Sequence, residues 1–212
     1  MTILENKLKP NKSIFFISPV NGITKKDLIK CEKHVSEMKA DGREIHFPLK
    51  DTKQTGDSIG YRICTDNKNA LNNANGVHLY LAEGTKGSFF DIGMTLIKNK
   101  QLYIVNPEMF NLDDEVEKAI IEYSMLDIER NTYTTSKLFY ELNDYRQEII
   151  ESKKDLSLEF KYDREHLLKL GMLFNSEKPF YISNINEIEK TPTKSFQNVI
   201  HEINRLYEQN NK

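Results

Sequence analysis

The chain has 212 residues, a formal net charge of −2 and two cysteines, Cys31 and Cys64. Its length fits one large domain or two small ones, its charge argues against a dedicated nucleic-acid-binding protein, and its cysteines offer neither a disulfide framework nor a metal-binding spacing. Because no apolar run approaches the roughly 18 residues of a membrane span and the N-terminus lacks a signal-peptide core, we expect a cytoplasmic protein with no membrane partner.

The first half of the chain alternates predicted strands and helices. Residues 13–18 predict a buried strand followed by a loop, and Thr24 is a candidate N-cap for a helix that runs to Met38. A second strand is predicted over residues 44–49, where Pro48 indicates the end of the strand or an edge. A polar loop over residues 51–60 precedes a helix over 61–74, and two apolar strands cover residues 77–81 and 102–105.

The second half predicts helices over residues 113–123, 136–152, 164–175 and 195–207, and strands over 156–160 and 179–183. Strands that alternate with helices imply a mostly parallel sheet covered on both faces. We therefore predict a single α/β domain over 1–212, with a flavodoxin-like (Rossmann-like) doubly wound sheet of five to six strands. Within it we expect a site-bearing half (1–112), a helical insertion (113–155) and a sheet-completing unit (156–212).

The two halves share an internal similarity. Residues 89–106 align without gaps to residues 167–184, so that Gly93 matches Gly171, Met94 matches Met172, Lys100 matches Lys178 and Asn106 matches Asn184. Either both segments are helix–strand pairs under the same packing constraints, or they descend from a duplication. Lys169 stands where Asp91 stands, so a catalytic acid would exist in the first copy alone. The paired glycines indicate close approach of a neighbouring element.

Polar residues follow the predicted strands and lie on the helix between them. Because the carboxyl ends of parallel strands share one edge of a sheet, many of these residues can meet there. The loop that ends at Gly87 and Ser88 leads into a helix N-terminus, which can hold an anion or a sugar hydroxyl through backbone N–H groups. The candidate site residues are Ser18, Asn21, Arg62, Asp66, Asn67, Glu83, Gly87, Ser88 and Asp91.

Most of these residues also have a purely structural interpretation. Asp91, in the first turn of its helix, either complements the helix macrodipole or acts as a nucleophile or general base. Asp66 and Asn67 are either surface residues or site residues, Arg62 is either a surface charge or a bidentate anion donor, and Ser88 is a candidate N-cap. His78, within an apolar strand, is interpreted as a hydrogen-bonded core histidine. The sequence contains no HExxH, GxGxxG or P-loop motif.

The segment Phe90-Asp91-Ile92-Gly93 resembles the signature of the nucleoside 2-deoxyribosyltransferase superfamily. In that superfamily, a glycine-containing loop after the third strand is followed by a carboxylate, an aliphatic residue and glycine. The upstream pair Asp66-Asn67 is similar to the family's helical acid, and Ala74-Asn75 stands where the family has "AD". The first strand, which contains Phe16 and Ser18, resembles the family strand whose end contacts the ligand. The resemblance covers roughly residues 13–106.

This resemblance implies an enzyme that cleaves or transfers the N-glycosidic bond of a nucleoside, nucleotide or related ribosyl substrate. Asp91 stands at the nucleophile position, where the family usually has Glu. The shorter Asp implies a rebuilt pocket, water activation in place of covalent catalysis, or a non-catalytic binding protein. By the same resemblance, Asp66 or Asn67 contacts the sugar or assists the leaving base, and Glu83 is a reserve acid. The remaining expected ligand contacts are Phe16, Ser18, Asn21, Arg62, Gly87 and Ser88.

The resemblance also implies the cofactors and partners. Cleavage through an oxocarbenium-like transition state needs no metal or redox cofactor, by analogy with glycoside hydrolysis. We expect a small-molecule nucleoside or nucleotide as the partner and no nucleic-acid polymer. A homodimer is expected by analogy with the family.

Overall fold

A computed structural model of the chain describes residues 13–54, 59–82, 86–125, 136–186 and 194–211. The strands in these ranges are β1 (Ser13–Ile17), β2 (Glu44–His46), β3 (Gly76–Leu79), β4 (Leu102–Ile104), β5 (Leu156–Leu158) and β6 (Phe180–Ile182). The α-helices are α1 (Lys25–Ala40), α2 (Pro48–Asp51), α3 (Ile59–Asn73), α4 (Gly87–Ile97), α5 (Glu115–Met125), α6 (Lys137–Glu151), α7 (Arg164–Phe174) and α8 (Lys194–Asn210). A 3₁₀ turn, Pro107–Met109, follows β4.

The strands form two parallel sheets in the described part of the chain. The larger sheet has the order β2-β1-β3-β4, and the smaller one pairs β5 with β6. The prediction of an α/β protein with parallel strands is therefore confirmed. The prediction of one sheet with five or six strands is wrong, because β5 pairs with β6 while α7 packs along α4, which keeps the second sheet separate from the first.

Helices cover both faces of the larger sheet, as predicted. Alternate residues of a strand point to opposite faces, and β1 divides its side chains accordingly. Ile14 and Phe16 join a core cluster with α1, whereas Phe15 and Ile17 join the larger core that contains residues of α3 and α4.

Local sequence signals set several element boundaries. The Thr24 hydroxyl accepts a hydrogen bond from the backbone N–H of Asp27, which confirms the predicted N-cap of α1. Strand β2 ends at His46, and Pro48 opens the short helix α2, where its missing N–H leaves no intrahelical bond unmade. His78 is buried in β3 beside His34, with 2.9 Å between the ring nitrogens, as expected of a hydrogen-bonded core histidine.

The internal similarity extends well beyond the aligned segments. Helix α6 begins and ends 78 residues after α3 (137 against 59, 151 against 73), and β6 lies 78 residues after β4 (180 against 102, 182 against 104). The order α3-β3-α4-β4-α5 therefore recurs as α6-β5-α7-β6-α8. We call the first series repeat 1 and the second repeat 2. Helix α6, within the region predicted as an insertion, is the counterpart of α3.

The repeats meet where α4 packs on α7. A Cβ atom added at Gly93 would lie 2.1 Å from the carbonyl oxygen of Leu168, and one added at Gly171 would lie 2.0 Å from the carbonyl oxygen of Phe90. Leu168 is itself the counterpart of Phe90, so the contact is nearly symmetric. The two glycines are needed because each helix backbone occupies the space of the other's missing side chain.

Two matched polar contacts stabilise equivalent strand ends. The Asn106 side chain bonds both the N–H and the C=O of Leu81, at 2.9 and 2.6 Å. The Asn184 side chain bonds the N–H and C=O of Phe160 in the same way, at 2.8 and 2.9 Å. Lys100 donates through Nζ to the carbonyl of Ala74, the residue after α3, and Lys178 donates to the carbonyl of Ser152, the residue after α6. The similarity seen in the sequence is therefore a similarity of three-dimensional contacts.

None of the helices within the described ranges has the length and apolar character needed to cross a bilayer.

Candidate functional site

A cavity of about 430 Å³ opens beyond the carboxyl end of β1, beside α3, α4 and α8. Its position agrees with the general placement of ligand sites in parallel α/β sheets. Its polar lining comes mainly from repeat 1 and the segment before it, and part of its apolar lining comes from repeat 2. The described residues that line it are Ser18, Pro19, Val20, Asn21, Gln54, Gly60, Ile63, Cys64, Asn67, Lys86, Gly87, Ser88, Phe90, Asp91, Tyr162, Phe196 and Val199.

Asp91 is the carboxylate of this cavity. Helix α4 begins at Gly87, so Asp91 lies beyond the first turn, and the prediction that it lies within that turn is wrong. The favourable effect of an acid on the helix macrodipole is confined to the first turn. The position therefore removes the helix-stabilising explanation for Asp91.

The environment of Asp91 makes its carboxyl group unusually basic. The side chain remains partly accessible because it faces the cavity, but the surrounding protein strips most water from it. This desolvation raises the pKa of Asp91 to about 7, and a hydrogen bond from Asn67 opposes the rise. Close to neutral pH the group is thus divided between its acid and base forms, a state that suits proton transfer.

Asn67 connects Asp91 to the interior of the protein. Its Nδ2 lies 3.5 and 3.4 Å from the two carboxylate oxygens of Asp91. Its Oδ1 accepts a hydrogen bond of 3.0 Å from the Thr52 hydroxyl. Asn67 is 5% exposed and Thr52 is 4% exposed, so both are held within the protein.

Two serine hydroxyls beside Asp91 are buried without a hydrogen-bond partner among the described residues: Ser18 Oγ and Ser88 Oγ. Ser88 lies inside α4, and the N-cap position belongs to Lys86, so the predicted capping role of Ser88 is wrong. A buried polar atom without a partner is costly, by about 1–3 kcal/mol. Both residues line the cavity, so a bound molecule with polar groups could satisfy them.

An aromatic wall faces the polar groups. The rings of Phe90 and Phe196 lie 6.0 Å apart in an edge-to-face arrangement, and those of Tyr162 and Phe196 lie 5.7 Å apart. Lys86 lies at the same wall, where its Nζ donates to the carbonyl of Tyr162 at 3.1 Å and sits 4.4 Å from that ring's centroid. Tyr162 and Phe196 come from repeat 2, so the cavity is assembled by both repeats.

Cys64 is the cavity's thiol, but its protonation state does not favour nucleophilic chemistry. Burial, and then the nearby Asp91 carboxylate, raise the pKa of the Cys64 thiol well above its ordinary range. The thiolate, rather than the thiol, is the reactive form. The chemistry of this cavity therefore centres on Asp91.

The predicted site residues divide into two groups. Those that line the cavity are Ser18, Asn21, Asn67, Gly87, Ser88 and Asp91. Asp66, Arg62 and Phe16 are absent from the lining contributed by the described residues, so their predicted contact with a ligand is not borne out by the geometry. Glu83 falls outside the described residues.

Helical phase explains why Asn67 and not Asp66 meets Asp91. In α3 the residues that face the cavity are Gly60, Ile63, Cys64 and Asn67, at the spacing of one helix face. Asp66 is rotated away and pairs with Arg62, one turn earlier, at 3.1 Å. The helical spacing of Gly60, Ile63, Cys64 and Asn67 can be read from the sequence, and it distinguishes Asn67 from Asp66.

Phe16 is turned away from the cavity by the alternation of β1. It is 0% exposed, and its ring packs 5.4 Å from that of Phe47 and 5.2 Å from that of His34. Sequence reasoning also missed Gln54, Lys86, Tyr162, Phe196 and Val199 as lining residues. The last three lie in repeat 2, and no local pattern indicates that this part of the chain folds back over α3.

The described residues contain no group of three or more His, Cys, Asp or Glu side chains arranged to hold a metal ion. Comparison with known proteins gives no match to any family model, curated protein or solved structure.

Proposed function

We propose that the protein cleaves or transfers the N-glycosidic bond of a nucleoside, nucleotide or related ribosyl substrate, with Asp91 as nucleophile or general base. One observation carries the proposal: a carboxyl group whose pKa is raised to about 7 shares a cavity with an amide and with two serine hydroxyls that have no partner among the described residues. The resemblance of Phe90-Asp91-Ile92-Gly93 to the deoxyribosyltransferase signature points to the same chemistry.

Two routes use the ionised form of Asp91. In one, a carboxylate oxygen attacks the anomeric carbon, and water or an acceptor base later releases the sugar. In the other, Asp91 takes a proton from a water molecule as that water attacks the same carbon. In both routes the carbon–nitrogen bond breaks, its electron pair goes to the departing base, and the base is then protonated. The shorter Asp side chain favours the second route because it leaves room for water.

The rest of the cavity fits the parts of such a substrate. Ser18, Ser88 and Asn21 can bond sugar hydroxyls, and the aromatic wall of Phe90, Tyr162 and Phe196 suits the flat face of a base. The N–H groups of Gly87 and Ser88, at the start of α4, can donate hydrogen bonds to a phosphate or a further hydroxyl. A substrate of this kind can bond the two serine hydroxyls, which have no hydrogen-bond partner among the described residues.

Incubation with a panel of nucleosides, deoxynucleotides and NAD, followed by chromatographic detection of free base, tests the proposal. We expect Asp91→Asn to lower base release by about a hundredfold or more, the usual contribution of a positioned base. Asp66→Asn is the matched control, because Asp66 lies on the neighbouring helix outside the cavity lining. Equal rates for wild type and Asp91→Asn would refute the assignment.

A non-catalytic nucleotide-binding protein is the second candidate. Its support is the side chain of Asp91, which is one methylene shorter than the usual glutamate and is partly neutral at pH 7. This candidate predicts that a nucleotide raises the thermal unfolding midpoint while no product forms during long incubation.

The finer structural and cellular predictions also belong to this proposal. The strand order β2-β1-β3-β4 is the basis for proposing a flavodoxin-like, doubly wound relationship for the larger sheet. We further propose a small-molecule partner, a cytoplasmic location and a homodimer. Sedimentation of the purified protein measures the oligomeric state directly.

A further inference from the structure

A continuous hydrogen-bond chain leads from Asp91 to a histidine on the far side of α3. His46 Nε2 lies 3.0 Å from the Thr52 hydroxyl, Thr52 donates to Asn67 Oδ1 at 3.0 Å, and Asn67 Nδ2 approaches both oxygens of Asp91. His46 lies in β2, Thr52 follows α2, Asn67 lies in α3 and Asp91 lies in α4. His46 and Thr52 are absent from the described cavity lining, so they act on a ligand only through Asn67 and Asp91.

The chain of bonds has a fixed direction. A hydroxyl has one proton to donate, and the Thr52 proton goes to Asn67 Oδ1. The Thr52 oxygen must therefore accept from His46, which requires a proton on Nε2. Because Asn67 Oδ1 is occupied as an acceptor, its N–H₂ group is turned toward Asp91. A flipped amide would place its oxygen against the carboxylate and would lose the bond from Thr52.

His46 is held in place to perform this role. Its ring stacks on Phe15 with 5.5 Å between centroids and 11° between planes. Burial lowers the pKa of His46, while Asp51 and Asp66 act in the opposite direction. Among the described residues, the Asn67 amide and the Cys64 thiol of α3 interact with the Asp91 carboxyl group, and Lys86 and Tyr162 line the same cavity.

We infer that Thr52 and His46 are positioning residues that lock the Asn67 amide toward Asp91 and so set the orientation and ionisation of the carboxylate. The inference rests on the proposed function, since it concerns the same site. Its immediate consequence is nevertheless a property of the free protein, which can be measured without any substrate.

The histidine tautomer in the wild-type protein gives the first test. Long-range ¹H–¹⁵N correlation spectra of the imidazole distinguish a proton on Nε2 from one on Nδ1. We expect the Nε2–H form of His46 at pH 7.5. A neutral ring protonated on Nδ1 would reverse the bond to Thr52 and overturn the inference. This measurement needs no substitution, so it does not depend on a variant that folds.

The titration of Asp91 gives the second test, with Thr52→Val against Thr52→Ser. Valine keeps the shape of threonine but removes the hydroxyl, whereas serine keeps the donor. We expect the Asp91 midpoint, followed by the ¹³C signal of its carboxyl carbon, to move up by about one pH unit in Thr52→Val and to stay near the wild-type value in Thr52→Ser, because a bond to the ionised form is weakened in the first alone. Equal midpoints in all three proteins would overturn the inference.

A second pair of variants covers the case in which Thr52→Val does not fold. His46→Gln retains an N–H donor, and His46→Phe retains the stack on Phe15 without the donor. We expect the titration midpoint of Asp91 to rise more in His46→Phe than in His46→Gln. Equal midpoints in these two variants would contradict the inference.

The outcome is separable from the proposed function. If no substrate of the panel releases base, the tautomer and titration results still decide whether the bond chain controls Asp91. If base is released, the same variants should shift the acidic limb of the pH–rate profile of kcat/KM in parallel with the Asp91 midpoint. A loss of rate without that shift would indicate a merely structural role.

Discussion

Helices α4 and α7 occupy equivalent places in the two repeats, but they carry different chemistry. In α4, Asp91 faces Asn67 and a cavity; in α7, Lys169 occupies the equivalent position, with its Nζ 5.7 Å from the ring of Tyr145, the counterpart of Asn67. Lys169 also pairs with Glu165 at 2.6 Å. At this position, repeat 2 therefore satisfies its charged group within the protein.

The start of each helix repeats this contrast. The Ser88 hydroxyl in α4 is buried with no hydrogen-bond partner among the described residues, whereas its counterpart in α7, His166, bonds Asp163 at 2.8 Å through Nδ1. At these two positions repeat 2 pairs its side chains within the protein, while repeat 1 directs them to a cavity. The repeats therefore differ in the chemistry of equivalent side chains, although their order of helices and strands is the same.

The close contact of α4 with α7 at Gly93 and Gly171, which we call the glycine seam, gives the largest expected effect on stability. Gly93→Ala and Gly171→Ala should each destabilise the protein by about 3 kcal/mol or more, because a backbone carbonyl cannot move aside as a side chain can. Urea unfolding measures the change. Gly87→Ala in the same α4 is the control, since its added Cβ would meet no described atom within 4 Å. Similar stability of Gly93→Ala and Gly87→Ala would show that the repeats do not depend on this contact.

The desolvated Asp91 carboxyl group should make the free energy of unfolding depend on pH, whereas Lys169, its counterpart in repeat 2, should not. Asp91 has a pKa of about 7 in the folded protein and an ordinary value of 3.8. Between these values the unfolded chain has released the proton while the folded chain retains it, so stability falls as pH rises. Asp91→Asn should therefore be more stable than wild type by about 4 kcal/mol at pH 8, and the difference should become small near pH 4.

Urea unfolding across pH 4 to 8 measures this difference, with Lys169→Met as the control in repeat 2. That control should change stability by less than about 1 kcal/mol, because its ion pair with Glu165 is partly exposed. Parallel stability profiles for wild type and Asp91→Asn would mean that the folded protein does not raise the pKa of Asp91.

The paired asparagines allow a direct comparison of the two strand ends. Asn106→Ala should cost about 2 kcal/mol, because the N–H and C=O of Leu81 lose their partners in a buried place. Asn184→Ala should cost about 1 kcal/mol, because Asn184 is more exposed. Chemical denaturation of both variants tests the order. A larger loss for Asn184→Ala would indicate that repeat 2 is the more dependent on its strand-end contact.

The aromatic wall tests whether repeat 2 contributes to binding. Phe196→Leu retains apolar volume but loses the ring contacts with Phe90 and Tyr162, so affinity for a bound nucleotide should fall about three- to tenfold. Calorimetric titration measures the affinity. Phe139→Leu, the same change in α6 outside this cavity, should leave it unchanged. Equal affinities would confine binding to repeat 1.

Sequence reasoning located the elements better than it located their assembly. Apolar runs predicted the six strands of the described ranges, and burial on both faces accounts for the continuous apolar signal of β1 and β3. Their division into two sheets depends on how α4 meets α7; the sequence indicated only that some neighbouring element approaches Gly93 and Gly171 closely.

The residues of the candidate site that are close together in sequence were predicted, and those that are distant in sequence were missed. Asp91 and Ser88 share one helix and one sequence motif, so they were found together. Tyr162 and Phe196 reach the cavity from distant parts of the chain, and local patterns carry no information about such contacts. Asp66 was predicted together with Asn67 because the pair resembles the helical acid of the deoxyribosyltransferase superfamily, although the helical phase favoured the amide.

The glycine seam also bears on how this chain can diverge. Each glycine is constrained by a backbone carbonyl of the other repeat, and no change of neighbouring side chain relieves that constraint. Substitution at Gly93 or Gly171 therefore requires a displacement of a whole helix. Asp91 and Lys169, each two residues before its glycine, are not in contact with a carbonyl of the described residues that restricts their side chains in this way, and one is acidic while the other is basic. Substitutions at Gly93 and Gly171 are thus coupled between the two repeats, whereas substitutions at Asp91 and Lys169 are independent of each other.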